Sequence, residues 1–156
     1  MSTNKIVLTN LQVRMNEAGV RDIEDFLKRH SEDFSPAFHT QNDIAAYAAK
    51  VWSCGNTYEL WHNGILDALL VVYFSEKLKQ VYVPYICTAG CHYGPHAAQY
   101  LFSLITGFAE PFQFIRLEVR KNNARAVNFY HKQGFVSISE TNDKYLMQKE
   151  LKMKKP

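Results

Sequence analysis

The stretch IRLEVRKNNARAVNFYHKQGF, from Ile115 to Phe135, holds the densest run of structural signals in the chain. With the residues before it, FQFIRLEV (112–119) alternates apolar and polar side chains, the period of a strand with one covered face. Asn122 or Asn123 then suits a helix N-cap, because a short side-chain oxygen accepts a backbone N–H of the first turn. Residues 122–133 read as a helix, and Gly134 marks its end, where a left-handed residue commonly closes the last turn. The reading is strand, turn, capped helix and glycine stop.

Working outward, FVSIS and KYLMQKEL form a closing pair of strands. Upstream, Leu101, Leu104, Ile105 and Phe108 are spaced for a helix from Gly94 or His96 to about Ala109. Before it, QVYVPYICT (80–88) reads as a strand in which Pro84, lacking an N–H, predicts a bulge. TYELWH and ILDALLVVYF flank Asn63-Gly64, a pair that readily takes positive φ at both turn positions and predicts a hairpin. KIVLTNLQVR (5–14) predicts an opening strand, and Val20, Ile23, Phe26 and Leu27 define one face of a helix over 20–30. Thr40, with Asp43 three residues on, predicts the start of a helix through IAAYAAKVW. The order β-α-α-β-β-β-α-β-α-β-β predicts a single α/β domain over 1–156, a mixed, largely antiparallel sheet flanked by helices.

Composition supports this. With 156 residues, 47% hydrophobic and 21% charged, the chain can bury about two-thirds of its extended surface without disulfides or a structural metal. The longest apolar run, Ala68 to Phe74, is far below the ~20 residues that span a bilayer, so no membrane association is expected. No basic-then-apolar leader is read at the N-terminus, and three scattered cysteines argue against a disulfide framework. The expectation is a cytoplasmic protein with reduced thiols. The net charge of +3 owes much to Lys149, Lys152, Lys154 and Lys155. That is too little, and too terminal, for nucleic-acid binding, but it suits an anionic small ligand.

The segment 115–135 resembles the Gcn5-related N-acetyltransferase (GNAT) superfamily. The match is carried by Leu117-Glu118-Val119, Asn122-Asn123, Ala126, Phe129-Tyr130 and Gly134-Phe135. The resemblance implies a twisted sheet splayed between its fourth and fifth strands, with acetyl-CoA as co-substrate. In that family the turn after the fourth strand, Arg/Gln-x-x-Gly-x-Gly/Ala, holds the pyrophosphate with its backbone N–H groups and the helix start behind it. The corresponding stretch is Cys91-His92-Tyr93-Gly94-Pro95-His96-Ala97-Ala98, which departs from the pattern. Either Gly94 is the central glycine, with Cys91 and His96 replacing the first and last positions, or Tyr93 begins the motif and Ala98 ends it. In both registers Pro95 supplies no N–H, and at the first helical position it costs the helix nothing.

The resemblance further implies that Tyr130 donates a proton to the departing CoA thiolate and that Asn123 bonds the cofactor's pantetheine or pyrophosphate arm. It also implies that Ile86, Cys87 and Thr88 hold pantetheine through their backbone. The ordinary explanations are a tyrosine packed under the sheet, an N-cap, and a plain strand. Glu118 is the first candidate for the base that deprotonates the acceptor, with Glu59, His62 and Tyr85 behind it; a polar residue on the strand's other face is the ordinary explanation of Glu118. Cys87, Cys91, His92 and His96 have a spacing that invites zinc, but four ligands crowded on one strand end and turn point poorly at one ion, so no metal is expected. A cysteine nucleophile paired with histidine lacks an orienting third group in the sequence. The function implied is acetyl transfer to a small amine by direct attack in a ternary complex. The alternatives are a non-catalytic acyl-CoA-binding module of the same fold and an interaction protein that forms a homodimer through a sheet edge. Tyr47, Trp52, Tyr58 and Trp61 suit either a sugar face or a core.

Overall fold

The computed structural model describes residues 10–106 and 111–151. Its strands are β1 (Leu11–Met15), β2 (Asn56–His62), β3 (Ile65–Ser75), β4 (Gln80–Cys87), β5 (Phe114–Arg120), β6 (Val136–Glu140) and β7 (Lys144–Glu150). The helices are α1 (Val20–Arg29), the short α2 (Phe38–Gln41), α3 (Ile44–Cys54), α4 (Ala97–Thr106) and α5 (Ala124–Lys132), with a 3-10 turn at Ser31–Asp33. The sheet has seven strands in the order β1-β2-β3-β4-β5-β7-β6. β1–β2, β5–β7 and β6–β7 pair antiparallel, and β4–β5 pairs parallel. This is the mixed, largely antiparallel α/β architecture expected. Expectations for residues 5–9, for the end of the helix near Ala109, and for Lys152, Lys154 and Lys155 fall outside the described residues. Among the described residues no helix is long and apolar enough to cross a membrane.

The chain divides into two compact units, Met1–Val71 with Tyr85–Leu101, and Val72–Pro84 with Phe102–Pro156. In the first, α1 buries Ile23, Phe26 and Leu27, each contributing about 1.5–3 kcal/mol. The Asp22 carboxylate takes the Gly19 N–H at 2.9 Å where the helix begins. Asn63 (φ 51°) and Gly64 (φ 77°) make the hairpin turn between β2 and β3. One helix start differs from expectation. Asp43, not Thr40, caps α3 by accepting the Ala46 N–H at 3.1 Å. The Thr40 hydroxyl instead donates to Ala37 C=O at 2.6 Å inside α2, so it has no helix end to serve.

In the second unit, Ile115, Leu117 and Met147 form the buried face of the β5–β7 pair. The parallel β4–β5 ladder runs only from Gln80↔Phe114 to Val83↔Leu117. It ends one residue before Pro84, where the chain has no N–H to continue it. α5 begins as the asparagine pair requires, with Asn123 Oδ1 accepting the Ala126 N–H at 3.1 Å. It ends at Gly134 (φ 97°), where the Gly134 N–H reaches His131 C=O at 3.0 Å and the Phe135 N–H reaches Tyr130 C=O at 2.9 Å.

Candidate active site

β4 carries Ile86 and Cys87, with Thr88 just after it. Its burial alternates strictly: Val81, Val83, Tyr85 and Cys87 point to the covered face, while Ile86 and Thr88 are only half-buried. Burial pushes the Cys87 thiol up, away from a thiolate. Tyr85 is pushed far up as well, first by burial and then by the neighbouring Cys87. It stays a protonated phenol and is no base. Phe26, Phe34, Phe38 and Tyr47 surround its ring at centroid distances of 5.0–6.5 Å among themselves and to it.

The loop after β4 is tightly wound. Cys91 N–H donates to Thr88 C=O, Gly94 N–H to Cys91 C=O and Ala97 N–H to Gly94 C=O, at 3.2–3.3 Å. His92 N–H donates to Asp67 Oδ2 at 2.6 Å, and its ring Nδ1 lies 3.1 Å from Asp67 Oδ1. His62 stacks on the His92 ring at 3.7 Å. Gly94 takes φ 102°, a conformation only glycine adopts cheaply, as a central loop glycine would. Pro95 has no donor, and next to it the N–H groups of Tyr93 and His96 are not taken up by the loop's own hydrogen bonds. Ala97 is buried and Ala98 half-buried at the helix start. These small residues and free donors fit a phosphate, while the Asp67 carboxylate at the loop's edge opposes one.

Three sequence-selected residues lie in the second unit. Tyr130 is buried, its ring meeting Phe102, Phe129 and Phe135 edge-on at 5.5–5.9 Å. Burial pushes its phenol up to about 12, so it holds its proton at neutral pH. Asn123 spends its side-chain oxygen on the α5 cap. Glu118 is exposed and accepts from Tyr82 Oη at 3.3 Å; burial first, and then Glu118, push Tyr82 up to about 12.

The weaker base candidates resolve differently. Glu59 is fully buried and accepts from Glu17 N–H (3.1 Å), Ala18 N–H (3.0 Å), Trp61 Nε1 (2.9 Å) and the Thr57 hydroxyl. Buried and accepting from these four donors, it pins the β1–α1 turn and is closed off from solvent. Tyr58 and Trp61 are buried, whereas Trp52 is 61% exposed, so the aromatic group does not act as one surface. Sequence reasoning missed His30 and Asp33, whose side chains meet at 2.7 Å beside Cys87. Their only signal was a His-x-x-Asp spacing at a helix end, which is unremarkable until the fold brings β4 alongside.

Solved structures now place the architecture. A putative acetyltransferase of the GNAT family from Desulfovibrio desulfuricans matches with a TM-score of 0.72 and 10% identity, over 91% of this chain and 99% of the other. The fold is that of the GNAT acetyltransferases. The PaiA N-acetyltransferase from Thermoplasma acidophilum, in complex with coenzyme A, shares the GNAT fold with a TM-score of 0.64 and 11% identity, over 89% and 99% of the two chains. Nourseothricin acetyltransferase gives a TM-score of 0.55 at 24% identity, over 64% and 67%. At these identities the likeness is one of fold. No protein-family model and no curated protein matches the sequence. In GNAT terms, β4 and β5 are the strands whose ladder stops at Val83↔Leu117, and α5 is the helix that Asn123 caps and that carries Tyr130.

Proposed function

We propose that this chain is an N-acetyltransferase that uses acetyl-CoA to acetylate a small amine by direct attack in a ternary complex, with residues 1–156 acting as one domain. The observation that carries the reading is Tyr130: a phenol held protonated by burial, on an asparagine-capped helix of a GNAT fold. The coenzyme A bound to PaiA N-acetyltransferase, the protein of that fold from Thermoplasma acidophilum, supports the co-substrate, and the name of nourseothricin acetyltransferase supports a non-protein acceptor.

Acetyl-CoA supplies the acyl group and leaves as the free thiol. The backbone of Ile86, Cys87 and Thr88 binds the pantetheine arm, and the loop from Tyr93 through Gly94, Pro95 and His96 to Ala97 and Ala98 binds the phosphates. The uncommitted N–H groups of Tyr93 and His96 act there as donors. Asn123 assists with the amide nitrogen left over from its cap. Tyr130 protonates the thiolate, a task for a phenol that is neutral at working pH. Glu118, already engaged by Tyr82, fits a polar surface residue better than the acceptor's base.

Titration calorimetry with acetyl-CoA, followed by amine acetylation assays, tests the reading. A second reading, the acyl-CoA-binding module without turnover, is favoured by one feature, the Asp67 carboxylate that occupies the His92 N–H. It predicts CoA binding without acetyl transfer.

A further inference from the structure

The end of α1 carries a constellation that neither the sequence motifs nor the reading above uses. His30 closes the helix, and its Nδ1 lies 2.7 Å from Asp33 Oδ2 on the 3-10 turn. A ring nitrogen of His30, a carboxylate oxygen of Asp33 and the Cys87 sulfur all fall within 4.8 Å of one another. On the same face of β4, Tyr85 is buried and its hydroxyl has no hydrogen-bond partner. A buried phenol left unpaired marks a place where a polar group is missing.

Such a set can be built around an ion or around a proton. Zinc holds nitrogen and oxygen ligands at about 2.0–2.2 Å, which sets neighbouring ligand atoms of a tetrahedron about 3.3 Å apart. The 2.7 Å separation is that of a charge-assisted hydrogen bond. The pair therefore encloses a proton. A carboxylate only accepts, so the Nδ1 position carries a proton, and in the neutral ring the lone pair is the one on Nε2. Phe26 backs the ring at 4.4 Å, and the side chain is 13% exposed, against 47% for Asp33. A fixed imidazole with one free lone pair, partly open to solvent, is equipped to take a proton.

We propose that His30 is the general base for the acceptor amine, with Asp33 as its positioning residue and the Tyr85 hydroxyl as a donor to the bound acceptor. The proposal rests on the acetyltransfer reading. The ammonium form of the acceptor passes one proton to Nε2, and the freed lone pair attacks the thioester carbonyl. The C–N bond forms as the C–S bond breaks, and the CoA thiolate takes its proton from Tyr130. The second proton lost by nitrogen restores the Tyr130 phenol through solvent, and His30 returns its proton to water. Among the described residues, Asp33 on the turn and Cys87 on β4 lie beside the ring, Tyr85 and Cys91 adjoin Cys87, and Arg29 and Glu32 are sequence neighbours of the pair. Arg29 is turned to Leu66 C=O and Glu32 toward His39, while Tyr85 and Cys87 are neutral.

Three measurements test this. Nitrogen NMR of the free protein should show His30 protonated on Nδ1, with that preference lost in Asp33→Asn. Calorimetry should show His30→Gln binding acetyl-CoA within about twofold of wild type, because the base does not touch the cofactor. At neutral pH, His30→Gln should acetylate ethanolamine, which arrives protonated, about 10²–10⁴-fold more slowly. Hydroxylamine, which arrives unprotonated, should lose less than tenfold. If His30→Gln does not fold, Asp33→Asn at its half-exposed site should show the same contrast between the two amines. A ring proton on Nε2, or equal losses for both amines, overturns the proposal. A wild-type protein that fails to bind acetyl-CoA, or that binds it and acetylates neither amine, overturns the acetyltransfer reading itself.

Discussion

Phe135 and Tyr130 are joined twice: the Phe135 N–H donates to the Tyr130 C=O at 2.9 Å, and their rings meet edge-on at 5.5 Å. The backbone bond closes α5 and the ring contact seats the proposed acid, so one glycine-dependent turn sets both. Gly134, at φ 97°, makes the reversal. A Cβ there would meet only the Lys149 side chain at 3.6 Å, so the cost of substitution is conformational rather than steric crowding. Gly134→Ala should destabilise by about 1–2 kcal/mol and lower Tm by about 2–8 °C. Thermal unfolding followed by circular dichroism checks this, and an unchanged Tm would show that the turn tolerates a side chain.

Tyr130→Phe keeps the ring among Phe102, Phe129 and Phe135 and removes only the hydroxyl. Stability should change by less than about 1 kcal/mol, and acetyl-CoA affinity by little. Turnover should fall about 10²–10⁴-fold. Pre-steady-state transfer rates measure the loss, and wild-type rates in the variant would reduce Tyr130 to a packing residue.

Burial raises the folded-state values of Tyr130 and Tyr82 to about 12, and that of Tyr85 further still, above the ordinary phenol value near 10. A raised value means the folded state holds protons that the unfolded chain releases. Stability is then fully present below pH about 10 and is lost as pH rises through the folded values. Tyr130 alone accounts for about 3 kcal/mol of that loss; half-buried Tyr82 adds less because water screens it. Urea titrations from pH 8 to 11.5 should show a plateau and then a steep decline, made shallower by Tyr130→Phe. A flat profile contradicts the burial of these phenols.

Glu59→Gln places an amide where four donors converge, so one or more of the Glu17, Ala18, Thr57 and Trp61 groups loses its acceptor. Each donor left unpaired costs about 1–3 kcal/mol. The urea midpoint should fall accordingly, while turnover measured well below the new Tm should stay near wild type. A large selective loss of turnover would instead make Glu59 catalytic.

Asp67→Asn retains an acceptor for the His92 N–H but removes a negative charge from the edge of the proposed phosphate loop. One charge at about 4 Å in water is worth about 1 kcal/mol, so acetyl-CoA affinity should rise up to about fivefold and the gain should shrink with added salt. Weaker binding would mean that Asp67 matters chiefly for holding the loop's shape.

What could be read from the sequence was local. Asn63-Gly64 and Asn123 through Gly134 specify their own turns and caps within a few residues, and the structure realises them as written. Thr40 misled because a cap signal is common and only the backbone decides which of two nearby polar residues ends up outside the helix. The role of Glu59 depends on donors from the β1–α1 turn, about forty residues away in sequence, which no periodicity encodes. The His30–Asp33 pair acquires meaning only beside Cys87, through a contact between distant segments.

β3 and β4 each cross from one compact unit into the other, at Val71–Val72 and at Pro84–Tyr85. Neither unit is therefore a continuous length of peptide. As the chain leaves the ribosome, the first unit lacks its β4 end, loop and α4 start until residue 101 has emerged, by which point the Val72–Pro84 insert has emerged as well. Closing such loops costs entropy that grows only slowly with their length, so the interleaving is cheap thermodynamically and expensive in waiting time. A cut inside the stretch from Val72 to Leu101 leaves both units incomplete, and no single cut of the gene yields either unit free of a segment of the other.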